Sequence, residues 1–224
     1  MYAGNKRYES PADLPQIIPV FPLPGALLLP RGELPLQIFE PRYLAMVDWA
    51  LAGDRLIGMI QPAFKTAPEE LSGNPELCKV GCVGRITALV ESGDGRYHLT
   101  LTGVSRFKLV EELDRRTSYR QARVSFDEYK SDLGEADGSS VDRAALLETL
   151  KAYLEANNLE TDWDSIRKAS TEILVNALSM MSPYGPAEKQ ALLEAPDLKS
   201  RAETLIAITE MELARRGDPG STLQ

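Results

Sequence analysis

The sequence contains few of the residues that build metal centres, disulfide frameworks or nucleophile–base pairs. Its 224 residues include two cysteines, Cys78 and Cys82, and one histidine, His98. Two thiols and one distant imidazole fall short of the four ligands that a structural zinc ion requires, so we expect no metal site. They also cannot make a disulfide framework. We expect Cys82 to pack in the core, because it falls on the inward face of a predicted strand.

Long apolar runs are missing as well. No stretch of the sequence approaches the roughly 20 consecutive apolar residues of a membrane helix. The opening segment, MYAGNKRYESPADLPQ, lacks the apolar stretch of a secretory signal. We therefore expect a cytoplasmic protein that does not associate with membranes.

Positive charge is in the minority. The chain has 25 lysines and arginines against 33 aspartates and glutamates, a formal net charge of −8. An acidic chain repels phosphate backbones, which disfavours nucleic acid as a ligand. The candidates for a basic face that would override this balance are Arg85, Arg96, Arg106, Lys108, Arg115, Arg116 and Arg120. The neighbouring acids Glu111, Glu112 and Asp114 favour a solvated, charge-balanced face instead.

Motifs of phosphate chemistry and of nucleophilic catalysis are also missing. No Gly-Lys pair occurs, so the loop that ends in Gly-Lys-Ser or Gly-Lys-Thr and cradles nucleotide phosphates is excluded. His98 falls within a predicted strand, where we expect a structural or surface role rather than a catalytic one. We predict no catalytic residue and no cofactor. A small hydrolase without these motifs is an alternative, and it requires a pocket with converging titratable groups.

Strand patterns dominate residues 17–126. Leu34, Leu36 and Ile38 recur at every second position, which is the period of a strand with one buried face. Pro35 lies within this segment and has no N–H to donate. The strand is therefore predicted to lie at a sheet edge or to carry a bulge.

Three further elements are predicted in this β-rich part. A helix is expected to begin at Pro41, since proline suits a first helical turn, and to end near Gly53. Leu27–Leu29 is a continuous apolar run, consistent with a strand covered on both faces. Residues 79–110 predict a hairpin that turns at Ser92–Gly95.

The helical period begins beyond an acidic, aperiodic segment. Residues 127–140 contain several glycines and serines, which predicts a linker between two lobes. The predicted helices lie at 141–156, 165–181, 186–194 and 197–215. The sequence thus predicts an α+β protein with a flexible arm at 1–16, a β-rich lobe at 17–126, the linker at 127–140, an all-helical lobe at 141–215 and a frayed tail at 216–224.

A proline-punctuated stretch, PVFPLPGALLLPRGELPLQIFEPRYLAMV, spans residues 19–47. It resembles the opening of the N-terminal substrate-recognition domain of the ATP-dependent Lon protease. Shorter pieces resemble the same family at residues 81–86, at Gly103 with Arg106-Phe107, and at 189–203. The resemblance extends over about residues 17–213, nearly the whole chain.

This resemblance implies a fold and a role. The family combines a β-rich lobe, of a barrel type related to the PUA domain, with a helical lobe. In Lon this domain helps to recognise unfolded or degron-bearing proteins, while the ATPase and serine–lysine protease modules lie elsewhere in the enzyme. We therefore expect a non-catalytic module that binds client polypeptides or acts as an adaptor for an ATP-dependent protease. RNA binding is a second alternative suggested by the PUA-like barrel, although fold analogy alone does not establish function.

Candidate binding residues follow from the same segment. We expect the apolar run Leu27, Leu28 and Leu29 to line a peptide-binding cleft. Phe64, in a long loop predicted at residues 62–77, is expected to line the same cleft. The motif residues expected to have structural roles are Pro22, Pro35, Phe39, Glu40, Arg42 and Tyr43. Glu40 and Arg42 are predicted to form a buried bracket at the helix start, with a polar contact to bound peptide as the alternative.

Overall fold

The computed structural model of the chain describes residues 1–63, 75–114, 116–135 and 137–217. The strands are β1 (Tyr2–Ala3), β2 (Lys6–Arg7), β3 (Ile17–Pro22), β4 (Glu33–Ile38), β5 (Leu56–Pro62), β6 (Leu77–Glu91), β7 (Tyr97–Glu112) and β8 (Arg120–Ser125). The α-helices are α1 (Pro41–Ala52), α2 (Arg143–Ala156), α3 (Trp163–Lys168), α4 (Thr171–Met181), α5 (Pro186–Glu194) and α6 (Leu198–Gly217). Among the described residues, no helix combines the length and the apolar composition needed to cross a membrane.

Five strands close into a barrel, as the resemblance implied. Their order is β7-β6-β5-β3-β8, and β8 returns to pair with β7. Neighbouring strands are antiparallel except for β3 and β5, which are parallel and are joined by the crossover that contains α1. Closure leaves no free edge where β8 pairs with the second half of β7. The α+β prediction, a barrel lobe followed by helices, is confirmed.

Strand β4 lies outside this closed ring. It pairs with the first half of β7, from Glu33 opposite Thr102 to Ile38 opposite Tyr97. The second half of the same edge of β7 is occupied by β8. Pro35 therefore lies on an edge strand, as its missing N–H predicted.

The segment between β3 and β4 differs from its prediction. Leu27, Leu28 and Leu29 are not in a strand, and their exposed fractions are 2%, 1% and 0%. They pack between the outer face of the barrel, α1 and the helical lobe. A buried irregular segment and a buried strand have the same apolar composition, so periodicity cannot distinguish them.

The N-terminal residues do not form the loose arm predicted for 1–16. Strands β1 and β2 make a short hairpin, and Ala3, Tyr8 and Leu14 are buried in the same cluster as the barrel residue Phe107. The terminal amino group donates to the carbonyl oxygen of Leu133 at 3.0 Å. Three apolar side chains among polar neighbours are enough to attach the segment to the barrel.

The predicted linker is likewise part of the folded structure. Residues Asp127–Leu133 form a 3-10 turn, and Asp132 and Leu133 are buried. Beyond it, the helix predicted at 165–181 is divided into α3 and α4. The break occurs because the Ser170 side chain caps α4, accepting a hydrogen bond from the Ile173 N–H.

Buried polar contacts join the two lobes. Gln61 of β5 donates from Nε2 to the Pro186 carbonyl at 2.9 Å, and the Asn176 amide of α4 donates to the Pro30 carbonyl at 3.0 Å. Arg106 of β7 reaches across to the loop between α5 and α6. The helical lobe is therefore bonded directly to the barrel.

Candidate functional site

A groove of about 320 Å³ opens where the ends of β3 and β4 meet the start of β8. We call it the proline-lined groove. It is lined by Phe21–Pro24, Leu36–Glu40, Arg42, Tyr43, Pro62, Pro75 and Ser118–Arg120. Four prolines contribute rigid backbone to its walls, because each pyrrolidine ring fixes φ. A rigid apolar groove suits the capture of an apolar side chain.

Aromatic rings form one wall of the groove. The rings of Phe21 and Tyr43 pack with centroids 4.2 Å apart and an interplanar angle of 41°. The guanidinium of Arg42 lies over the Tyr43 ring, 4.5 Å from its centroid. Phe39 follows β4 directly and is 60% exposed. Its ring therefore adds exposed apolar surface at the edge of the groove.

The predicted bracket of Glu40 and Arg42 is wrong in its details. The Glu40 side chain makes no hydrogen bond to the start of α1. It accepts instead from Arg42, Nε at 2.9 Å and Nη2 at 2.8 Å, and both side chains are 42% exposed. The pair therefore forms a half-exposed polar rim on the groove, which is the geometry required by the alternative of a polar contact to peptide.

The opposite rim is formed by Arg120. It pairs with Glu112 at 2.6 Å and donates from Nη1 to the Pro75 carbonyl at 2.9 Å.

Two tyrosines also line the groove. Burial raises the pKa of Tyr43 and that of Tyr119, so both phenols are protonated at neutral pH. Both arginines on the rims of the groove are thus paired to carboxylates, and both phenols are uncharged.

The motif residues converge on this groove. Of the six named from the sequence, Pro22, Phe39, Glu40, Arg42 and Tyr43 line it, and Pro35 lies nearby on β4. Sequence reasoning assigned them structural roles because local patterns do not show which side chains share a cavity.

The predicted peptide-binding residues are placed differently. The side chains of Leu27, Leu28 and Leu29 are buried, so they offer no exposed wall to a peptide in this conformation. Phe64 lies outside the described residues. In the proline-lined groove, exposed apolar surface is contributed by Phe39 and Pro24.

Four of the seven residues of the candidate basic face pair with carboxylates, and Arg115 lies outside the described residues. Arg106 is 2% exposed and pairs with a buried aspartate, while Lys108 pairs with Glu128 at 2.6 Å. Arg96 and Arg120 also pair with carboxylates, Asp94 and Glu112. Paired cations have little left to offer a phosphate backbone, which weakens the RNA-binding alternative.

The environment of His98 also disfavours the hydrolase alternative. Its side chain is exposed on β7, and its neighbours across the sheet are Gln37 and Val90 rather than a serine and a carboxylate. A nucleophile needs an adjacent base within hydrogen-bond reach.

Both cysteines are expected to react slowly with thiol reagents in the folded protein. Cys78 is 9% exposed and Cys82 is 1% exposed. Burial, with a smaller effect from the charge of Glu194, raises the pKa of Cys78 to about 11, and burial raises the pKa of Cys82 further. Since the thiolate is the reactive form, colour development with a chromogenic disulfide at pH 8 should be slow until guanidinium is added. Rapid labelling of the native protein would show instead that a thiol is accessible.

Comparison with known proteins relates the fold to one family. Residues 17–210 match the model of the ATP-dependent protease La (LON) substrate-binding domain. The chain is similar to Lon protease 2 of Myxococcus xanthus, with 30% identity over 205 residues that cover 88% of this chain and 24% of that protein. It is also similar to the Lon protease of Anaeromyxobacter dehalogenans, with 27% identity covering 88% of this chain and 23% of that protein. The chain thus spans about a quarter of the length of these relatives.

Solved structures show the same fold. A Lon N-terminal domain protein from Xanthomonas campestris superposes with a TM-score of 0.60 at 22% identity, covering 85% of this chain and 97% of that one. The N-terminal domain of a Mycobacterium avium complex Lon protease superposes with a TM-score of 0.62 at 17% identity, covering 87% and 98%. Both lobes are therefore included in the shared architecture.

Proposed function

This chain belongs to the family of the ATP-dependent protease La (LON) substrate-binding domain, and we propose that it binds unfolded or degron-bearing polypeptide through the proline-lined groove. One observation carries the proposal: five of the motif residues that relate the chain to the family line a single groove. Phe39 stands exposed at its edge. A groove with rigid walls loses little conformational entropy when a ligand enters it.

The groove favours insertion of a side chain over pairing of backbones. An apolar or aromatic side chain of the client would enter between Phe39 and the ring of Tyr43, with the Glu40–Arg42 pair contacting its backbone. The outer edge of β4 lies beside this site and could extend the sheet with a client strand. Pro35 contributes no donor along β4, so we assign most of the affinity to the inserted side chain.

We propose a non-catalytic role in proteolysis, in which the bound client is passed to an ATP-dependent protease. The matched part of each relative is the substrate-binding domain, and no motif of the sequence supplies ATP hydrolysis. The groove has no nucleophile activated by a base among its described lining residues. Its chemistry is that of recognition.

Phe39→Ala is expected to weaken client binding roughly tenfold, the cost of removing an aromatic anchor from an interface. The substitution should leave stability nearly unchanged, because the side chain is 60% exposed. Binding is measured by fluorescence anisotropy with a labelled, permanently unfolded protein. Tyr2→Ala is the matched control, since Tyr2 is 65% exposed and lies outside the groove.

Equal affinities of the Phe39→Ala and Tyr2→Ala proteins would overturn the groove assignment. A rise in the fluorescence anisotropy of labelled single-stranded RNA on titration with wild-type protein at low salt would instead favour the RNA-binding alternative. The two titrations use the same instrument and the same protein, so they separate the two functions directly.

A further inference from the structure

A second cavity, of about 360 Å³, lies within the helical lobe. We call it the helical pocket. It is lined by Leu146, Thr149, Leu150, Tyr153, Leu154, Leu159, Leu178, Met181–Tyr184, Leu205, Ile206 and Thr209. Among the described residues, it shares no lining residue with the proline-lined groove.

The interior of the helical pocket offers a ligand little to hydrogen-bond with. None of its described lining residues is charged. The buried Thr209 hydroxyl donates to the Leu205 carbonyl at 2.7 Å and therefore accepts from the Tyr184 hydroxyl at 2.6 Å. Since these two hydroxyl groups are bonded to each other, an apolar group of a ligand fits the interior better than a polar one.

Apolar surface continues at the mouth of the pocket, where Leu159 is 53% exposed and Met181 is 82% exposed. A small molecule held inside the cavity would leave both side chains in water. A longer occupant covers them as well as the interior, so it removes more apolar surface from water. The unbranched Met181 side chain can adapt its shape to such an occupant. The helical pocket therefore suits a segment of polypeptide.

The backbone around the pocket favours a helical conformation for that segment. Most of the lining belongs to α2, α4 and α6, whose N–H and C=O groups are bonded within each helix. The described lining includes no strand edge with which an extended chain could pair. A segment buried here must satisfy its own backbone groups, and a helix does so. Amphipathic helices bind apolar grooves in this way through residues at i, i+3, i+4 and i+7.

The ends of two helices give the mouth a negative potential. Leu154 and Met181 lie in the last turns of α2 and α4, so both helices end beside the pocket. Neither helix has a basic residue in its last turn. The C-terminal end of a helix carries a partial negative charge, which attracts cations. Pro183 follows α4 and has no N–H to donate to the carbonyls there.

Two acids add to this potential. Glu160 directly follows Leu159, and Glu210 lies one turn after Ile206 on α6. Both glutamates are exposed. A cationic partner is therefore favoured over an anionic one, and an anionic membrane surface is disfavoured.

The two basic residues of α2 do not cancel this charge. Lys151 pairs with Glu155 at 3.8 Å. Arg143 is the first residue of α2, at the opposite end of the helix from the mouth. It donates to the carbonyls of Ile166 and Ala169 at 3.0 and 2.8 Å.

We propose that the helical pocket is the docking site for a basic amphipathic helix of a partner protein. Apolar side chains on one face of that helix enter between α2 and α6 and cover Leu159 and Met181. Lysines or arginines beside this face meet the C-terminal ends of α2 and α4, together with Glu160 and Glu210. The site is separate from the proline-lined groove, so a client in the groove leaves the pocket free.

The probe is a fluorescently labelled peptide of about 18 residues, roughly five helical turns, with leucines on one face and lysines on the other. Its fluorescence anisotropy should rise saturably on titration with wild-type protein, and its affinity should fall as the salt concentration rises. The same peptide with glutamate in place of lysine should bind at least about tenfold more weakly. A scrambled peptide of the same composition, which has no apolar face, should also bind weakly.

Met181→Lys should weaken binding of the lysine peptide at least about tenfold, because it replaces an apolar contact with a cation that repels the peptide. Met211→Lys is the matched control. It introduces the same charge in the same lobe, and Met211 is 58% exposed on α6 and lies outside the pocket. Both side chains are exposed, so both variants should fold, which urea unfolding checks.

A second measurement needs no variant. The chain has six methionines, so a protein labelled at the methionine methyl groups gives few NMR signals. On titration with the lysine peptide, the Met181 signal should shift saturably while the Met211 signal stays in place.

Equal affinities of the Met181→Lys and Met211→Lys proteins, or equal binding of the scrambled peptide, would overturn the proposal. Self-association of the wild-type protein that Met181→Lys abolishes would assign the pocket to a second copy of the chain instead. Loss of client binding in Phe39→Ala leaves these results unchanged, because Phe39 lies outside the helical pocket.

Discussion

Replacing Arg106 with methionine is expected to lower the free energy of unfolding by about 3–5 kcal/mol, the cost of breaking one side of a buried ion pair. Arg106 is 2% exposed. Its Nε and Nη2 donate to the two oxygens of Asp132 at 2.9 and 2.8 Å. Its Nη1 donates to the carbonyls of Leu193 and Ala195. Methionine would leave the Asp132 carboxylate buried without a cation, with only the backbone N–H of residue 106 still donating to its Oδ2 at 2.9 Å.

Lys108→Met is the control for this change. Lys108 lies two residues further along β7 and pairs with Glu128 at 2.6 Å, but its side chain is 51% exposed. An exposed pair of this kind contributes little to stability. Urea unfolding followed by circular dichroism should separate the Arg106→Met protein clearly from both wild type and control. Coincident unfolding curves would show that the Arg106 contacts do not hold the lobes together.

The same junction positions the groove. The turn at Pro24-Gly25, beside the groove, is held by Gln61, whose Oε1 accepts from the Gly25 N–H at 2.9 Å. The Nε2 of Gln61 donates to the Pro186 carbonyl at the start of α5. The helical lobe is thereby bonded to one wall of the groove. This side chain therefore links the groove wall to the junction of the lobes.

Much of the barrel could be predicted from local sequence. The hairpin predicted at 79–110 appears as β6 and β7, and the strand predicted at Leu34–Ile38 appears as β4 at an edge. These predictions succeed because each of these strands buries mainly one face, so apolar residues recur at every second position of its sequence. Pro35 indicated the edge position of β4, since a residue without an N–H donor is tolerated most readily at a sheet edge.

Long-range pairing could not be predicted in this way. Arg106 lies in a segment with other basic residues, and from the sequence it resembled part of a solvated face. Its partner Asp132 comes from the segment predicted to be a linker, 26 positions away. The groove is assembled from five separate segments, so its residues could be named from the family motif, but the sequence did not show that they share one groove. Periodicity reports which face is buried and not what it is buried against.

Replacing Gly103 with alanine is expected to destabilise the protein by about 3 kcal/mol or more, at the upper end of the cost of overpacking. A Cβ atom at this position would lie 2.1 Å from the carbonyl oxygen of Leu29 and 2.8 Å from its carbonyl carbon. The contact is with backbone, which cannot rotate away as a side chain does. The Arg31 N–H donates to the Gly103 carbonyl and the Gly103 N–H donates to the Gly32 carbonyl, both at 2.8 Å, so the two segments are bonded together.

Gly134→Ala is the control, because a Cβ there would meet the nearest atom, the Ser131 carbonyl oxygen, at 3.5 Å and the backbone is extended. Its stability should be unchanged or raised by up to about 1 kcal/mol.

The comparison of Gly103→Ala with Gly134→Ala also tests the role of the Leu27–Leu29 run. If that run were a movable wall of a peptide site, it would shift to admit the methyl group and Gly103→Ala would be tolerated. A large loss of stability, measured by urea unfolding, means that the run is fixed in the core and is not a movable wall of a peptide site.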